Sequence, residues 1–268
     1  MTAGYHATDR AVLRLTGADT RDFLQNLITN DVHGLDRGVV YAALLSAQGK
    51  YLFDFFLVPD GDAILVDVHA DRAPALAQRL GIYKLRADVT IAVADCGVIL
   101  GTGALPDDVP AFSDPRHPEL GWRAYPADPE ALLARIAALD PAEMVALRIR
   151  LGVPETGIEL MPEDAYILEM GFERLHGVDF RKGCYVGQEV TARMKHKTEL
   201  RKGLARVRVE GEAPPPGTAI EAEGRPAGML YSTAGGLGLA HLRFDRAGGD
   251  LGAGDAAVRA DPADWSGA

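Results

Sequence analysis

The stretch from Val39 to Ala70, VVYAALLSAQGKYLFDFFLVPDGDAILVDVHA, holds three apolar runs separated by two short polar turns. "VVYAALLS" and "YLFDFFLV" flank Ala47-Gln48-Gly49-Lys50, and "AILVDVHA" follows Pro59-Asp60-Gly61-Asp62. Runs of this length, rich in β-branched and aromatic residues and broken by glycine-bearing turns, predict strands. Three in succession with no helix between them predict an antiparallel meander. Upstream, Thr16-Gly17-Ala18-Asp19 reads as a capping box before a helix whose apolar residues Phe23, Leu24, Leu27 and Ile28 form one face. Downstream, "DRAPALAQRLGIYKL" reads as helix and "VTIAVAD" and "CGVILG" as strands. Helices and antiparallel strands are mixed without regular βαβ alternation, which defines an α+β class.

From Gly101 to Pro129 the chain is rich in Pro, Gly and Asp and reads as long loops or a linker. Two helices follow, "PEALLARIAAL" and "PAEMVALRIRLG", each with proline at its first turn, the second stopping at Gly152. Beyond Gly203 the pattern changes. "GLARVRVEG" alternates Ala205, Val207 and Val209 with Arg206, Arg208 and Glu210, a half-buried strand, and Pro214-Pro215-Pro216-Gly217 turns it back. Short strands separated by glycine continue, so residues from about 203 form a small β-barrel-like module. The expected domains are 1–125, an α+β region; 126–202, a helical and α+β segment; and 203–268, a β-barrel.

The 268 residues exceed one compact domain of ordinary size, and 47% hydrophobic with 25% charged residues is a soluble globular composition. A net charge of −10 argues against a general nucleic-acid binder, whose phosphate contacts need surplus Lys and Arg, so no stable nucleic-acid complex is expected. Cys96 and Cys184 lie far apart and form no C-x-x-C, so neither a disulfide framework nor a closed zinc site is indicated, no metal site is expected, and a reducing cytoplasm fits. The start lacks an apolar signal core, and no window approaches the ~18 apolar residues of a membrane span. A cytoplasmic monomer without membrane association is expected.

The chemistry concentrates in "VDFRKGCYVGQEVTARMKHK", Val178 to Lys197. Cys184 sits two residues from Lys182, between Gly183 and Gly187, with Gln188 and Glu189 following. A cysteine works as nucleophile or soft ligand only as thiolate, which a nearby cation favours, and Lys182 offers one. The two glycines allow unusual backbone angles or close approach of a flat ligand. Gln188 and Glu189 carry the groups that pair with a heterocycle's amide and ring N–H, or that cap a helix. The plain alternative is a small buried cysteine in a glycine turn. His176 and His196 lie near in sequence, but a lone histidine is usually just a polar side chain. Directly after the signature, "RMKHKTELRK" gathers Arg193, Lys195, Lys197, Arg201 and Lys202, a local reversal of the chain's sign. It reads either as a solvated face or as a surface for an anion.

"KGCYVGQE" resembles the signature K-G-C-Y-x-G-Q-E of the YgfZ-type folate-binding proteins, relatives of the glycine-cleavage aminomethyltransferase or T-protein. The resemblance extends through "FLQNLITNDV", "AQGKYLFDFFLV", "LGWRAY", "LRIRLGVPE", "MPED" and the β-rich end. It implies a three-domain cloverleaf around a central folate pocket, closed by a C-terminal antiparallel β-barrel. It implies tetrahydrofolate, or a 5-formyl or methylene derivative, as cofactor. Arg148 falls on the arginine that holds the folate, Asp54 on a pocket aspartate, and Asn30 in "TND" is a further pocket contact. Tyr185, Gln188 and Glu189 complete the expected folate-binding set. The implied activity is support of iron–sulfur cluster assembly or repair through Cys184, aided by Lys182, with iron–sulfur assembly or client proteins as transient partners. The alternative is a tetrahydrofolate-dependent aminomethyl or one-carbon transferase, with Asp54 as its polar catalyst. Phe53 stands where transferases carry an adjacent acid, and Cys184 replaces their signature residues. Both departures point away from classical transferase turnover.

Overall fold

A computed structural model of the chain describes residues 2–197 and 199–260 in full and the backbone of 261–265. The last three residues of the module expected over 203–268 lie outside the described residues. The chain divides into two compact units: residues 1–47, 52–141 and 176–188 form the first, and residues 48–51, 142–175 and 189–268 the second.

The first unit carries β1 (Ala3–His6), β2 (Arg10–Thr16), α1 (Thr20–Gln25), β3 (Val40–Leu45), β4 (Tyr51–Asp60), β5 (Ala63–His69), α2 (Ala73–Lys84), β6 (Thr90–Val93), β7 (Ile99–Thr102), β8 (Ala111–Ser113), β9 (Trp122–Ala124), α3 (Pro129–Leu133) and β10 (Ala137–Ala138). One sheet has the order β3-β4-β5-β2-β6, so the expected meander is its first half. The second sheet has the order β10-β1-β7-β9-β8. β3 to β5 are buried on both faces over most of their length, which is why they read as continuous rather than alternating apolar runs. Their core takes in Phe23, Leu24, Leu27 and Ile28, the apolar face expected around α1.

Two local readings are corrected. No side-chain cap hydrogen bond forms at Asp19, the residue before α1. Its carboxylate instead accepts from the Asp88 amide at 2.7 Å, while the Thr20 hydroxyl donates to the Gly17 carbonyl at 2.9 Å. Gly17 has φ +120°, and a Cβ there would lie 2.0 Å from the Asp88 carbonyl oxygen, so the close approach of residue 88 replaces a helix cap. The stretch 101–129 is not a linker: it contains β8 and β9, which pair antiparallel and bury Trp122 and Arg123. Strands of three residues are too short to show a period.

The two sheets are joined by a buried ionic network. Asp67 of β5 accepts from Arg10 of β2 at 2.7 Å and from Arg123 of β9 at 2.6 Å, and from the Tyr125 hydroxyl at 2.9 Å. Arg123 also donates to Asp114 at 3.2 Å, which pairs in turn with Arg116 at 2.8 Å. Burial would raise both aspartate pKa values, yet the guanidiniums outweigh it: Asp67 is lowered, and Asp114 is held at about 2. Removing one member of such a network leaves an uncompensated buried charge.

The second unit takes in α4 (Pro141–Arg150) from Ala142 onward, and the helix ends before Gly152 at φ +68°, as its sequence predicts. α5 (Gln188–Lys197) leads into β11 (Lys202–Glu210), β12 (Thr218–Ala222), β13 (Arg225–Ala234), β14 (Leu237–Arg243), β15 (Leu251–Ala253) and β16 (Ala256–Trp265). These six strands close a barrel in the order β11-β14-β13-β12-β15-β16. In β11, Ala205, Val207 and Val209 point into the barrel core, and Arg208 and Glu210 are exposed. No helix among the described residues is long and apolar enough to cross a membrane.

Candidate functional site

Residues 176–187 contain no helix or strand, so their backbone must find partners elsewhere. The turn Thr29-Asn30 supplies many of them within the first unit. The buried Thr29 hydroxyl donates to the Gly177 carbonyl at 2.7 Å and accepts from the Ala43 amide, and the Thr29 carbonyl accepts from the Asp179 amide. Asn30 donates from Nδ2 to the carbonyls of Tyr41 and His176, at 2.8 and 2.7 Å, while its Oδ1 accepts from the Asp31 amide. His176 sits at φ +55°, a conformation that a non-glycine residue keeps only where its surroundings hold it.

Lys182 completes the attachment. Its Nζ donates to the carbonyls of Gln25, Ile28 and Asn30 at 2.7, 2.6 and 3.0 Å, and the residue is 8% exposed. Burial lowers its pKa to about 8 against the opposing pull of Asp31 and Asp179, so the ammonium remains the main form at pH 7. The three donors of this cation are thus directed at the carbonyl of Gln25, the last residue of α1, and at those of Ile28 and Asn30 beyond it, whereas in sequence Lys182 stands two residues from Cys184. The Tyr185 ring lies 5.3 Å from the same ammonium, its side chain buried, and Val186 packs on the first core.

Cys184 is exposed. A thiol held at the surface of a pinned loop is accessible to a ligand or partner, and the buried alternative does not apply to it. Of the two glycines, Gly187 has φ +81°, which a Cβ would strain, whereas a Cβ on Gly183 would meet nothing within 4 Å. Gln188, half-buried, donates its backbone N–H to the Tyr185 carbonyl and opens α5; Glu189 beside it is exposed. Among the described residues, no group of three or more His, Cys, Asp and Glu side chains is placed to hold a metal ion.

Asp54 on β4 is 5% exposed and accepts from the Tyr41 hydroxyl at 3.0 Å. One polar path therefore runs through the first unit, from Lys182 to the Asn30 carbonyl, from the Asn30 amide to the Tyr41 carbonyl, and from the Tyr41 hydroxyl to Asp54. Tyr41 on this path, and Gln25 beside it, are not found by local sequence reading, because the first occurs inside an apolar run and the second inside an ordinary helical one. Arg148 belongs to the second unit. It is 8% exposed and donates to Glu159 at 3.3 Å, the Val153 carbonyl at 3.2 Å and the Ser232 hydroxyl at 2.6 Å. Its guanidinium ties α4 to the following loop and to β13.

This architecture is that of the glycine-cleavage aminomethyltransferases. The aminomethyltransferase T of Bartonella henselae superposes with a TM-score of 0.80 over 97% of this chain and 84% of that one, at 14% identity, a likeness of fold. Residues 201–268 match the family model described as CAF17, C-terminal beta-barrel domain. The iron-sulfur cluster assembly factor IBA57, mitochondrial, of Mus musculus is 32% identical over 90% of this chain and 78% of its own length. The IBA57 homolog of Pyricularia oryzae is 32% identical over 91% and 72%, and that of Homo sapiens 29% over 93% and 80%. The chain belongs to the IBA57 family of iron–sulfur cluster assembly factors. The cytoplasmic expectation is corrected by the same comparisons, since these relatives are named as mitochondrial proteins.

Proposed function

We propose that the protein supports iron–sulfur cluster assembly by presenting Cys184 as a thiolate ligand to a cluster, or its sulfur or iron, shared with an assembly or client protein. The observation that carries this reading is the exposed thiol on a loop fastened by Thr29, Asn30 and Lys182. A cluster ordinarily takes four cysteine ligands, so one thiol holds it only together with a partner's. Membership in a family of assembly factors supports the same direction.

The narrower YgfZ-type reading adds a reduced folate. The donor set of the first unit fits one: Asp54 is a buried carboxylate suited to the amino and ring N–H groups of a pterin, and Tyr41 holds its orientation. Asn30, with its amide engaged by backbone, shapes that site rather than presenting free donors. Within the same unit Gln188 supplies a further amide group and Tyr185 an aromatic ring, while Glu189 begins the second unit and is a candidate contact on its own. When bound, a tetrahydrofolate supplies the chemistry of a reduced pterin, and the chain's part is to hold its polar edge. The fold supports this assignment by likeness to a folate-chemistry enzyme class, while Phe53 beside Asp54 favours binding without aminomethyl turnover.

Anaerobic purification followed by folate extraction and an aminomethyl turnover assay tests the folate half. Co-purifying reduced folate without turnover is expected. A folate-free protein that also fails to bind added tetrahydrofolate overturns that half and leaves the thiol reading standing.

A further inference from the structure

Between Arg193 and Lys202 stand five lysines and arginines and a single acid, Glu199, in a chain that has 38 acids against 28 lysines and arginines overall. All of these residues lie in the second unit. Lys195 pairs with Glu173 at 2.6 Å and Lys202 with Glu169 at 3.5 Å. Arg193, Lys197 and Arg201 are exposed and form no ion pair among the described residues. Arg193 and Lys197 stand four apart on α5, where like charges repel. The partial negative charge at the helix C-terminus favours cations in its last turn and accounts for Lys197, but not for Arg193 before that turn or Arg201 beyond the helix.

Within the same unit a cleft of about 320 Å³ opens beside Arg201 and Lys202. Half-buried Met194 and Leu200 are its apolar lining, Arg201, Lys202 and Arg243 its cations, and Glu169 and Glu199 its acids. Glu169 is matched by Lys202 and His241, and Arg243 by Asp245. Met194 and Lys197 are three apart on the helix and therefore neighbours on its surface, so Lys197 extends the rim. The surface thus holds three unmatched cations, Arg193, Lys197 and Arg201, against one unmatched acid, Glu199. Its lining separates the anionic ligands that could meet it. Single-stranded nucleic acid stacks its bases on aromatic side chains, and none lines this cleft. A membrane surface takes up a broad apolar helix face, whereas α5 has only Val190, Ala192 and Met194 as apolar residues, each already half-buried. An acidic protein segment built around one apolar side chain suits both the charge and the lining.

We propose that this surface of the second unit docks an acidic segment of a protein partner, its carboxylates on Arg193, Lys197 and Arg201 and an apolar side chain between Met194 and Leu200. The surface is additional to the Cys184 thiol and to the folate donors, and binding there requires neither. Each exposed cation–carboxylate contact is weak, so removing two cations lowers affinity by about two- to thirtyfold. Salt erodes the attraction because screening acts within about 8–10 Å near physiological ionic strength.

The probe is a short fluorescent peptide with one leucine flanked on both sides by aspartate and glutamate, alongside a second peptide with serine in place of the leucine. Anisotropy titrations at low and high salt use the full chain as wild type, as Lys197→Gln/Arg201→Gln, and as a control, Arg37→Gln/Arg86→Gln, that removes equal charge from exposed positions of the first unit. The expected result is that the leucine peptide binds wild type at low salt, more tightly than the serine peptide, and loses affinity as salt rises. It should lose about two- to thirtyfold in Lys197→Gln/Arg201→Gln at an unchanged melting temperature, and keep its affinity in the control. No binding to wild type at low salt, equal binding of the two peptides, or full affinity in Lys197→Gln/Arg201→Gln overturns the proposal. An equal loss in the control reduces the effect to net charge and overturns it as well. A single-stranded oligoribonucleotide or a phosphatidylglycerol vesicle that binds more tightly than the peptide, and is lost in the same variant, gives the surface to that class instead. Because the readout involves no iron–sulfur enzyme and no folate, this result and the reading of Cys184 stand or fall separately.

Discussion

Lys182 donates from Nζ to the carbonyl of Ile28 at 2.6 Å, joining the signature loop to residues 154 positions earlier in the chain. Two further carbonyls, of Gln25 and Asn30, share the same ammonium. Charge-assisted hydrogen bonds are worth about 1.5–3 kcal/mol, and carbonyls left unpaired in the interior add to the loss. Lys182→Met is therefore expected to lower stability by at least about 1.5–3 kcal/mol in urea unfolding. Amide exchange should quicken over residues 176–187 before it does elsewhere. Unchanged protection of that loop would show that Thr29 and Asn30 hold it without the lysine.

The glycines of the signature separate by conformation. Gly187 at φ +81° is expected to resist alanine, with a loss of about 1–2 kcal/mol, the usual strain of an L-residue in left-handed geometry. Gly183→Ala meets no neighbour within 4 Å and should leave the melting temperature nearly unchanged. Equal effects of the two substitutions in thermal unfolding would contradict this division.

Arg148→Ala should act chiefly on stability. It leaves Glu159, whose side chain is fully buried, without its cation, and breaking a buried pair costs about 3–5 kcal/mol. Calorimetric unfolding is expected to show the loss, with Arg148→Lys only partly restoring it because an ammonium cannot reproduce the guanidinium's spread of donors to Val153, Glu159 and Ser232. A variant as stable as wild type would remove the structural role.

The Asp67–Arg123–Asp114–Arg116 network sets an acid limit. Asp114 has a folded-state pKa of about 2 against an unfolded value near 3.9, so its contribution is present above about pH 4 and is lost as pH falls through 2. That difference corresponds to roughly 2–3 kcal/mol at neutral pH. Asp67, lowered in the same direction, steepens the loss. Asp114→Asn should be less stable at pH 7 and show a flatter decline between pH 4 and 2 in chemical denaturation. A variant with the wild-type slope would place the acid sensitivity elsewhere.

How far the chain discloses these relations depends on their range. The alternation of β11 is legible because Ala205, Val207 and Val209 contrast with charged neighbours at a two-residue period. The run of short strands separated by glycine also points to a barrel, but the strand order that closes it is not legible, since β11 meets β16 only through pairing across some fifty residues. The signature cysteine stands out by composition, but adjacency in an irregular loop says nothing of side-chain direction, and Lys182 turns to the carbonyls of Gln25, Ile28 and Asn30. Tyr41 passes as one more apolar strand residue in "VVYAALLS" until its hydroxyl is seen on Asp54. Arg148 is marked as special by its stretch, yet its partners Glu159 and Ser232 come from a loop and a strand that no periodicity connects to α4.

The central claim is that the exposed Cys184 thiol is the group through which the protein supports iron–sulfur cluster assembly. The most direct measurement is the activity of iron–sulfur enzymes in cells lacking this protein, complemented with wild type or with Cys184→Ser, the variant first confirmed to be folded and equally abundant. The substitution keeps the volume of an exposed side chain while removing the soft ligand, so stability should hold within about 0.5 kcal/mol. The account predicts that wild type restores enzyme activity and that Cys184→Ser leaves it at the level of the deletion. Full restoration by the serine variant would contradict it.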